Sequence, residues 1–425
     1  MILNDELTAI KNGAQGETMR KILKTLINFG EAFGAERMVP ITSEYGHSVI
    51  GAASFSWSPV FDIIDEMIES GALAKQKFSA DPVSYDPKVP ASLLQKLAFK
   101  IIFSAQNRLE NQYKKFGIMD EKAYSCTCYM PELGNIPKKG DILGWAESSA
   151  VSYANSVLGA RCNRNSGVLE LMSFALGYVP EFGLLLDEGR RADWIIEVRC
   201  EKKPEAQILG SAIGMKVIED VPYIKGLNKW LGTELTQDTC DYLKDMGAAA
   251  ASNGSVGLYH VENLTPEAAE LGESLINEGA QIYVIDDAEL EKVRNSYPCL
   301  WEDKNAEPEL CFMGCPHFSK QQLIDWCDRL SEALQKNGQT ELQVPTVFTA
   351  APDVIEAFIS EQPERYKKYN DMGLVLSPIC ALTYTSNPLI GKVKIITGSN
   401  KLRYYSHARF HSEAELLEIL TGGAK

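Results

Sequence analysis

Long hydrophobic runs are missing from this chain of 425 residues. A membrane-spanning helix needs about 20 consecutive apolar residues, and no run approaches that length. The longest candidates, at 184–186 and 393–396, are predicted to be buried strands. The first residues, MILNDELTAIKNG, show no basic region followed by an apolar one, so we expect no secretory leader and a cytoplasmic protein.

The chain also has no excess of positive charge. The chain has 42 Lys and Arg against 57 Asp and Glu, which gives a formal net charge of −15. Nucleic acid and anionic membranes attract basic surfaces, so neither is expected to be the main partner. This balance still permits a local basic pocket for an acidic metabolite.

Several diagnostic motifs are absent as well. The G-x-G-x-x-G pattern of dinucleotide-binding folds does not occur, and no C-x-x-C pairs have zinc spacing. We find no internal repeat and no low-complexity segment. The ten cysteines are scattered and do not show the spacing of a disulfide framework. This predicts reduced thiols, most of them in the core.

The pattern that is present favours an α/β fold. After residue 200, strands and helices alternate, which predicts a largely parallel sheet with ligands at the carboxyl ends of its strands. We expect a helical and α/β lobe over 1–200 and α/β lobes over 201–425, with the active cleft at the lobe junction.

The segment 126–164 is unusually rich in small and polar residues. It opens with Cys126 and Cys128, one residue apart, and ends with Arg161 and Arg164, three residues apart. Arginine can bind a carboxylate or phosphate through two hydrogen bonds, so this segment is a candidate binding element. A tightly packed internal helix with a polar network explains the composition equally well.

Three other places carry polar residues at predicted strand ends or turns. The turn at 252–255 presents backbone N–H groups and hydroxyls that suit an anion, although a simple turn before a buried strand is equally consistent. Cys315 lies between a strand and a helix start, where thiolate is favoured. The turn at 399–401 suits a phosphate or carboxylate. His47 lies in an early loop among small residues.

Cysteines from separate strand ends suit an iron–sulfur cluster at a lobe junction. An iron with an open position acts as a Lewis acid on a substrate hydroxyl, which fits dehydration of a hydroxy acid. A nearby serine or histidine can serve as base or acid. The competing hypothesis is a cysteine-nucleophile hydrolase with His47 or His317, but it has no local signature.

Over nearly its whole length the chain resembles the large, catalytic subunit of aconitase X. The resemblance rests on CTCYMPELGNIPKKGDILGWAESSAVSYANSVLGARCNR, GAAAASNGSVGLYHVENLTPEA, GCPHFS and TGSNKLRYY. It implies a multi-lobed, aconitase-like α/β/α fold and a hydro-lyase of cis-3-hydroxy-L-proline or 5-phosphomevalonate. It also implies an iron–sulfur cluster or mononuclear iron, and a separate small subunit formed by a swivelling β-rich domain.

The resemblance also assigns roles to individual residues. It implies Cys126 and Cys315 as metal ligands, with Cys128 or Cys380 as a third. The implied catalytic residues are His47, Glu147 and Ser255. The implied substrate-binding residues are Asn155, Arg161, Arg164, Ser252, Ser399 and Lys401.

The chain departs from the family pattern at a few positions. Where the family has a third cysteine, the matching segment reads Asp371-Met372-Gly373-Leu374. Three explanations are open: Cys128, Cys311 or Cys380 replaces that cysteine, the metal centre is altered, or the chain is a divergent member with another substrate. A family histidine is replaced by Leu185, and family asparagines are replaced by Gly189 and Ser149.

Our leading hypothesis from the sequence is a dehydratase of a small hydroxy acid, best represented by cis-3-hydroxy-L-proline, with Arg161 or Arg164 binding the carboxylate. The alternative substrate is 5-phosphomevalonate, with Lys401 and Arg164 near its phosphate. A non-catalytic member that binds a metabolite or partner is the third hypothesis.

Overall fold

The computed structural model of the protein describes residues 1–54 and 58–423. The helices are α1 (Asp5–Lys11), α2 (Gly16–Ala32), α3 (Ser58–Glu69), α4 (Leu93–Ile102), α5 (Gln106–Phe116), α6 (Ser148–Ser156), α7 (Gly167–Leu176), α8 (Ala206–Val217), α9 (Asn228–Leu231), α10 (Gln237–Asn253), α11 (Pro266–Leu271), α12 (Asp287–Asn295), α13 (Lys320–Lys336), α14 (Pro352–Glu361), α15 (Pro363–Asp371), α16 (Ala381–Thr385), α17 (Asn400–Tyr405) and α18 (Glu413–Thr421). The strands are β1 (Met38–Pro40), β2 (Gly46–Ser48), β3 (Phe78–Ala80), β4 (Tyr178–Pro180), β5 (Ala192–Val198), β6 (Pro222–Lys225), β7 (His260–Val261), β8 (Ile276–Ile285), β9 (Leu310–Phe318), β10 (Thr346–Ala350), β11 (Leu374–Ser377), β12 (Ile395–Thr397) and β13 (Arg409–Phe410).

The N-terminal helices share a core with a small parallel strand pair. Apolar residues of α2 recur every three or four positions, so one face of the helix is buried. Strand β2 pairs with β3 in parallel, with His47 opposite Ser79. His47 therefore lies in a strand, whereas the sequence predicted a loop. The strand was not predicted because its partner, β3, is distant in sequence. The carboxyl ends of both strands meet at one edge.

The first larger sheet has the order β7-β6-β5-β8, and all its neighbouring strands are parallel. Helices α8 and α10 pack closely together, and Gly210 makes this approach possible. A Cβ atom at Gly210 would lie 2.1 Å from the carbonyl oxygen of Met246. The predicted turn at 252–255 is wrong in part, because α10 continues through Asn253 and keeps Ser252 helical.

The second larger sheet has the order β11-β10-β9-β12-β13, again with parallel neighbours. Its central strand β9 is buried along its whole length and carries Cys315 near its carboxyl end. Gly314 has φ of 94°, and a Cβ atom there would lie 2.3 Å from the carbonyl oxygen of Thr349. Only glycine fits this position, which lies directly before Cys315.

The predicted α/β class with mostly parallel sheets is confirmed by these two sheets. The predicted division near residue 200 stays a prediction; β5 ends just before it and pairs with β6 and β8, which follow it. One large core joins residues from Cys128 to Leu420, and a second joins residues from Leu7 to Leu176. Within the described ranges, no helix is both long and apolar enough to cross a lipid bilayer.

Candidate functional site

Separate segments bring buried and partly buried polar side chains close together. Asp81 follows β3, Cys126 lies in the loop after α5, and Glu147 precedes α6. Cys315 comes from β9, Cys380 from the residue before α16, and Lys401 from the first turn of α17. Their charges are close enough to shift one another's pKa values. We call Asp81, Cys126, Glu147, Cys315, Cys380 and Lys401 the central cluster.

A buried ion pair joins Glu147 to Lys401 within the central cluster. The Glu147 carboxylate also accepts hydrogen bonds from the Ser149 hydroxyl, at 2.7 Å, and from the Ala150 amide. Burial opposes ionisation of Glu147, but the Lys401 ammonium and these donors outweigh it and lower its pKa. Burial likewise opposes the charge on Lys401, but Glu147 and the two nearby thiols raise its pKa. The structure therefore holds a charged ammonium within the central cluster.

A second pair links Asp81 to His47. The His47 Nε2 atom lies 3.2 Å from Asp81 Oδ1, and Nδ1 lies 2.9 Å from the Ser79 hydroxyl. The Asn135 side chain donates to that hydroxyl at 2.9 Å, which fixes the imidazole ring in place. Burial raises the pKa of Asp81, and the negative charge of Glu147 adds to this, although His47 acts in the opposite direction. Asp81 thus has the environment of an acid–base group that exchanges protons near neutral pH.

The thiols of Cys126 and Cys315 are buried, and that of Cys380 is partly exposed. Burial raises the pKa of each, and the Lys401 ammonium acts in the opposite direction at all of them. The Cys126 sulfur accepts a hydrogen bond from the His317 amide at 3.4 Å. The Ser399 hydroxyl donates to the carbonyl oxygen of Cys315. Backbone contacts therefore fix both buried cysteines.

The His317 side chain forms hydrogen bonds close to these cysteines. Its ring nitrogens lie 3.1 Å from the Ser125 hydroxyl and 3.1 Å from the carbonyl oxygen of Ile379. It thereby connects the residues next to Cys126 and Cys380. Burial lowers the pKa of His317 to about 4, so the ring is neutral at physiological pH.

The three thiols of the central cluster are donors that suit iron. Within residues 1–54 and 58–423, no three His, Cys, Asp or Glu side chains are placed to bind one ion. Soft thiolates select iron–sulfur clusters over hard cations. Cys126, Cys315 and Cys380 are the residues that would hold such a centre.

The cysteines considered as a third ligand lie in different surroundings, and Cys311 is fully buried near the start of β9. Cys380 is close enough to raise the pKa of Cys315, and it follows β11 at the carboxyl end of the sheet. Gly373, which occupies the expected cysteine position, precedes β11 and lies at the opposite end of that strand. Cys128 is buried against His47 and acts on its pKa. Cys380 is therefore the better-placed third thiol.

The arginines predicted to bind substrate lie elsewhere. The Arg161 guanidinium donates to the carbonyl oxygen of Leu185 at 2.8 Å and pairs with exposed Asp187. Arg164 lies beside Gly257. No contact between either arginine and the central cluster occurs in the part of the chain that the structure describes.

The remaining predicted residues have structural partners of their own. The Asn155 side chain binds the backbone of Cys162 and Gly257, with each hydrogen bond between 2.8 and 2.9 Å. The Ser252 hydroxyl donates within α10 to the carbonyl oxygen of Ala248 at 2.8 Å. Ser255 is exposed. These three contribute to local packing or lie at the surface, so the proposal below does not use them.

Asp81 belongs to the central cluster but was not selected from the sequence. It follows β3 directly, in the segment FSADP. The available signal was its position directly after a buried strand, where ligands usually bind in α/β folds. Ser79 and Asn135 had no such signal, because only the folded chain brings them to His47.

Helix α10 supports the segment that carries Cys315. The Lys244 ammonium donates to the carbonyl oxygen of His317 at 3.1 Å and to the Gln322 side chain at 2.8 Å. The Ser319 hydroxyl, which caps α13, donates to Asp241 at 2.6 Å. The other oxygen of Asp241 is buried without a hydrogen bond. A carboxylate in this position stabilises the segment but carries an electrostatic cost.

That cost predicts a pH effect on stability. Burial raises the pKa of Asp241 from 3.8 to about 6, so the folded chain binds this proton more tightly than the unfolded chain. The stability that this tighter proton binding adds is complete below pH 4. About 2–3 kcal/mol of the free energy of unfolding is then lost as the pH rises to about 6. In the Asp241→Asn variant that loss should disappear. Urea unfolding of both proteins at pH 4.5, 5.5 and 6.5 measures the difference, and two parallel pH profiles would contradict the assignment.

Comparisons with family models match most of this chain. The model described as "Aconitase X first domain" matches residues 1–188, and the model described as "Aconitase X second domain" matches residues 192–295. The first match contains His47, Asp81, Cys126 and Glu147 of the site.

Named relatives cover almost the whole chain. A phosphomevalonate dehydratase large subunit of Thermococcus kodakarensis is 31% identical over 410 residues, which are 95% of each chain. The one of Methanocaldococcus jannaschii is 32% identical and covers 99% of this chain and 100% of its own. A cis-3-hydroxy-L-proline dehydratase of Pseudomonas aeruginosa is 25% identical and covers 98% of this chain and 69% of its own.

A solved structure has the same fold. The crystal structure of aconitase X from Thermococcus kodakaraensis in its holo-form superposes with a TM-score of 0.79 at 27% sequence identity. The superposition covers 99% of this chain and 100% of the other.

Proposed function

Because the chain belongs to the aconitase X family, we propose that it is the large, catalytic subunit of a dehydratase that removes water from 5-phosphomevalonate. The observation that carries the proposal is the convergence of three thiols with Asp81 and the Glu147–Lys401 pair. A thiol-rich, charged cluster of this kind suits metal-assisted elimination of water.

The choice of substrate rests on similarity. The relatives named phosphomevalonate dehydratase are up to 33% identical, and one spans this chain end to end. The relatives named cis-3-hydroxy-L-proline dehydratase are 25% and 26% identical, and they extend well beyond the aligned region. The sequence analysis favoured the hydroxyproline substrate, and these similarities favour its alternative instead.

Dehydration requires a base that removes a proton from carbon while the hydroxyl departs. We assign the base to Asp81, whose carboxylate accepts that proton while His47 holds it in position. An iron centre bound by Cys126, Cys315 and Cys380 would supply Lewis acidity that makes hydroxide a better leaving group. The departing hydroxide takes up a proton from solvent and leaves as water, and Asp81 returns to solvent the proton that it accepted from carbon.

Lys401 binds the negative charge of the substrate in this proposal. Its ammonium is buried and held by Glu147, so its position is fixed before the substrate arrives. A preorganised charge of this kind stabilises a developing anion without reorganisation. The partner in the active enzyme is a small subunit, since the relatives are named as large subunits.

A substrate comparison tests the proposed function. The chain is co-expressed with a small subunit from the same genome, purified without oxygen, and assayed with 5-phosphomevalonate and with cis-3-hydroxy-L-proline. We expect turnover of the first compound only. Turnover of hydroxyproline alone would make the chain a hydroxyproline dehydratase, and turnover of neither compound would contradict the proposal.

The base assignment leads to a separate prediction. The Asp81→Asn variant keeps the shape of the side chain but cannot accept the proton, so kcat should fall by roughly 100-fold or more while KM changes little. The matched control is Asp187→Asn, because Asp187 is exposed and pairs with Arg161 outside the central cluster. Steady-state kinetics distinguish them, and an Asp81→Asn enzyme with normal kcat would remove Asp81 from the mechanism.

A further inference from the structure

A carboxyl group that the mechanism does not use lies beside the end of β2. Glu170 belongs to α7, and its side chain is fully buried. Its Oε1 atom accepts two hydrogen bonds, from the Ser48 hydroxyl at 2.6 Å and from the Val49 amide at 2.8 Å. Glu170 therefore holds the chain where it leaves the strand that carries His47. We call residues 48–51 the exit segment.

Helix α5 holds the exit segment as well. The Tyr113 hydroxyl donates to the carbonyl oxygen of Ile50 at 2.6 Å, and the Gln106 side chain donates to that of Gly51 at 3.0 Å. The Ile50 amide donates back to the Ser48 hydroxyl at 3.1 Å. Buried or partly buried side chains of two helices, α5 and α7, thus fix the backbone of the exit segment.

The backbone of Asp81 lies directly against the exit segment. The Asp81 amide donates to the carbonyl oxygen of Ser48 at 2.8 Å. A Cβ atom at Gly51 would lie 1.6 Å from the carbonyl oxygen of Asp81, so only glycine allows this approach. His47 holds the Asp81 carboxylate, which is 18% exposed. The Asp81 backbone, in contrast, is held by the segment that Glu170 anchors.

The surroundings of Glu170 suit a neutral acid. Burial raises its pKa well above the usual value of a glutamate, although the Ser48 hydroxyl, His47 and the Val49 amide act in the opposite direction. Within the part of the chain that the structure describes, the Oε2 atom is buried without a hydrogen bond, which costs a neutral carboxyl less than a carboxylate. A glutamine offers the same carbonyl oxygen to both donors, so we expect it to replace Glu170 with little loss.

We propose that Glu170 is a positioning residue for the dehydration: it fixes the exit segment and thereby holds Asp81 where its carboxylate accepts the proton from carbon. This proposal rests on the proposed function, which assigns the base to Asp81. Glu170 does not touch the substrate, because it is fully buried and its hydrogen bonds end at Ser48 and Val49. Displacement of a reacting group by about 1 Å can lower a rate roughly 100-fold, so such an anchor has a large effect without taking part in the chemistry.

Steady-state kinetics of the complex with the small subunit test the proposal. Glu170→Ala should lower kcat by roughly 10- to 100-fold and leave KM almost unchanged, because it displaces Asp81 without removing a substrate contact. Glu170→Gln should keep most of the wild-type kcat. Wild-type kcat in Glu170→Ala would overturn the proposal, and so would an equal loss in Glu170→Gln and Glu170→Ala.

Further variants separate positioning from lost stability. Leu171→Ala truncates a neighbouring side chain of α7 that is buried in the core, so it should lower the thermal midpoint but keep kcat. Ser48→Ala is a smaller change that removes the hydroxyl bound by Glu170, and it should lower kcat even if Glu170→Ala fails to fold. Its control is Ser173→Ala, because that hydroxyl donates only within α7, to the carbonyl oxygen of Leu169 at 2.9 Å. Wild-type kcat in Ser48→Ala would overturn the proposal.

A double variant gives a readout that a purely structural role would not change. Asp81→Asn already prevents the side chain from accepting the proton, so adding Glu170→Ala should lower kcat no further. A residue that only stabilises the fold would lower kcat by the same factor with and without Asp81→Asn. An equal factor in both backgrounds would therefore contradict the positioning role.

The two proposals fail in different ways. If the wild-type complex dehydrates 5-phosphomevalonate and Asp81→Asn lowers kcat, but Glu170→Ala does not, only the positioning role of Glu170 is wrong. If the wild-type complex dehydrates neither substrate, the proposed function is wrong, and the positioning role falls with it.

Discussion

Replacement of Lys401 by methionine should destabilise the protein by about 3–5 kcal/mol, because it leaves the Glu147 carboxylate buried without its counter-charge. The same change should lower kcat/KM by roughly 100- to 1,000-fold, since it removes the preorganised positive charge from the cleft. Urea unfolding of the isolated chain and steady-state kinetics of the assembled enzyme measure the two effects separately.

A double variant separates stability from function at this pair. Glu147→Gln combined with Lys401→Met leaves no buried charge, and the glutamine can still accept the hydrogen bond from the Ala150 amide. Most of the lost stability should return, whereas activity should stay low. Recovery of activity in the double variant would mean that the pair has a structural role only. Unchanged stability in Lys401→Met would mean that the pair is not formed.

Replacement of Cys380 by serine should remove most of the bound iron and most of the activity. Serine is a hard, weakly acidic ligand that replaces thiolate poorly at an iron site. Loss of a group that only supports a metal ligand lowers metal affinity or activity by roughly 10- to 100-fold. Loss of a ligand itself should have a larger effect. Cys126→Ser and Cys315→Ser should behave alike. Iron and sulfide analysis beside kinetics measures the effect.

The chain offers matched controls for this series. Cys327 is buried in the large core against α15, and Cys162 is buried beside Trp145, so both test whether a cysteine-to-serine change alone disturbs the protein. Cys128→Ser tests the alternative ligand directly, and it should retain iron. Iron that is lost from Cys128→Ser but kept in Cys380→Ser would reverse our assignment of the third thiol.

Much of the candidate site was selected from the sequence, because strand ends and unusual composition are local signals. Cys126, Cys315, Glu147, Lys401 and His47 were all selected, and the structure brings them together around the cleft. The parallel sheets were predicted from the alternation of strands and helices. The order of strands was not predicted, because β12 inserts between β9 and β13 through contacts that are distant in sequence.

The residues on which the sequence and the folded structure differ share a physical cause. Arg161 has the chemistry of a carboxylate ligand, but its partner Asp187 is 26 residues away and became visible only in the fold. Ser252 looked like a turn residue, although α10 continues through it. Asp81 was overlooked because its pKa depends on burial and on Glu147, which no local pattern reveals.

The central claim is that three cysteines and Asp81 form an iron-dependent dehydration centre. Iron and sulfide content should therefore be measured on the complex of this chain with its small subunit, purified without oxygen, before and after chelation, with turnover of 5-phosphomevalonate followed in the same samples. The account predicts bound iron, loss of turnover with loss of iron, and recovery when iron and sulfide are restored. A metal-free complex that keeps full turnover would contradict it.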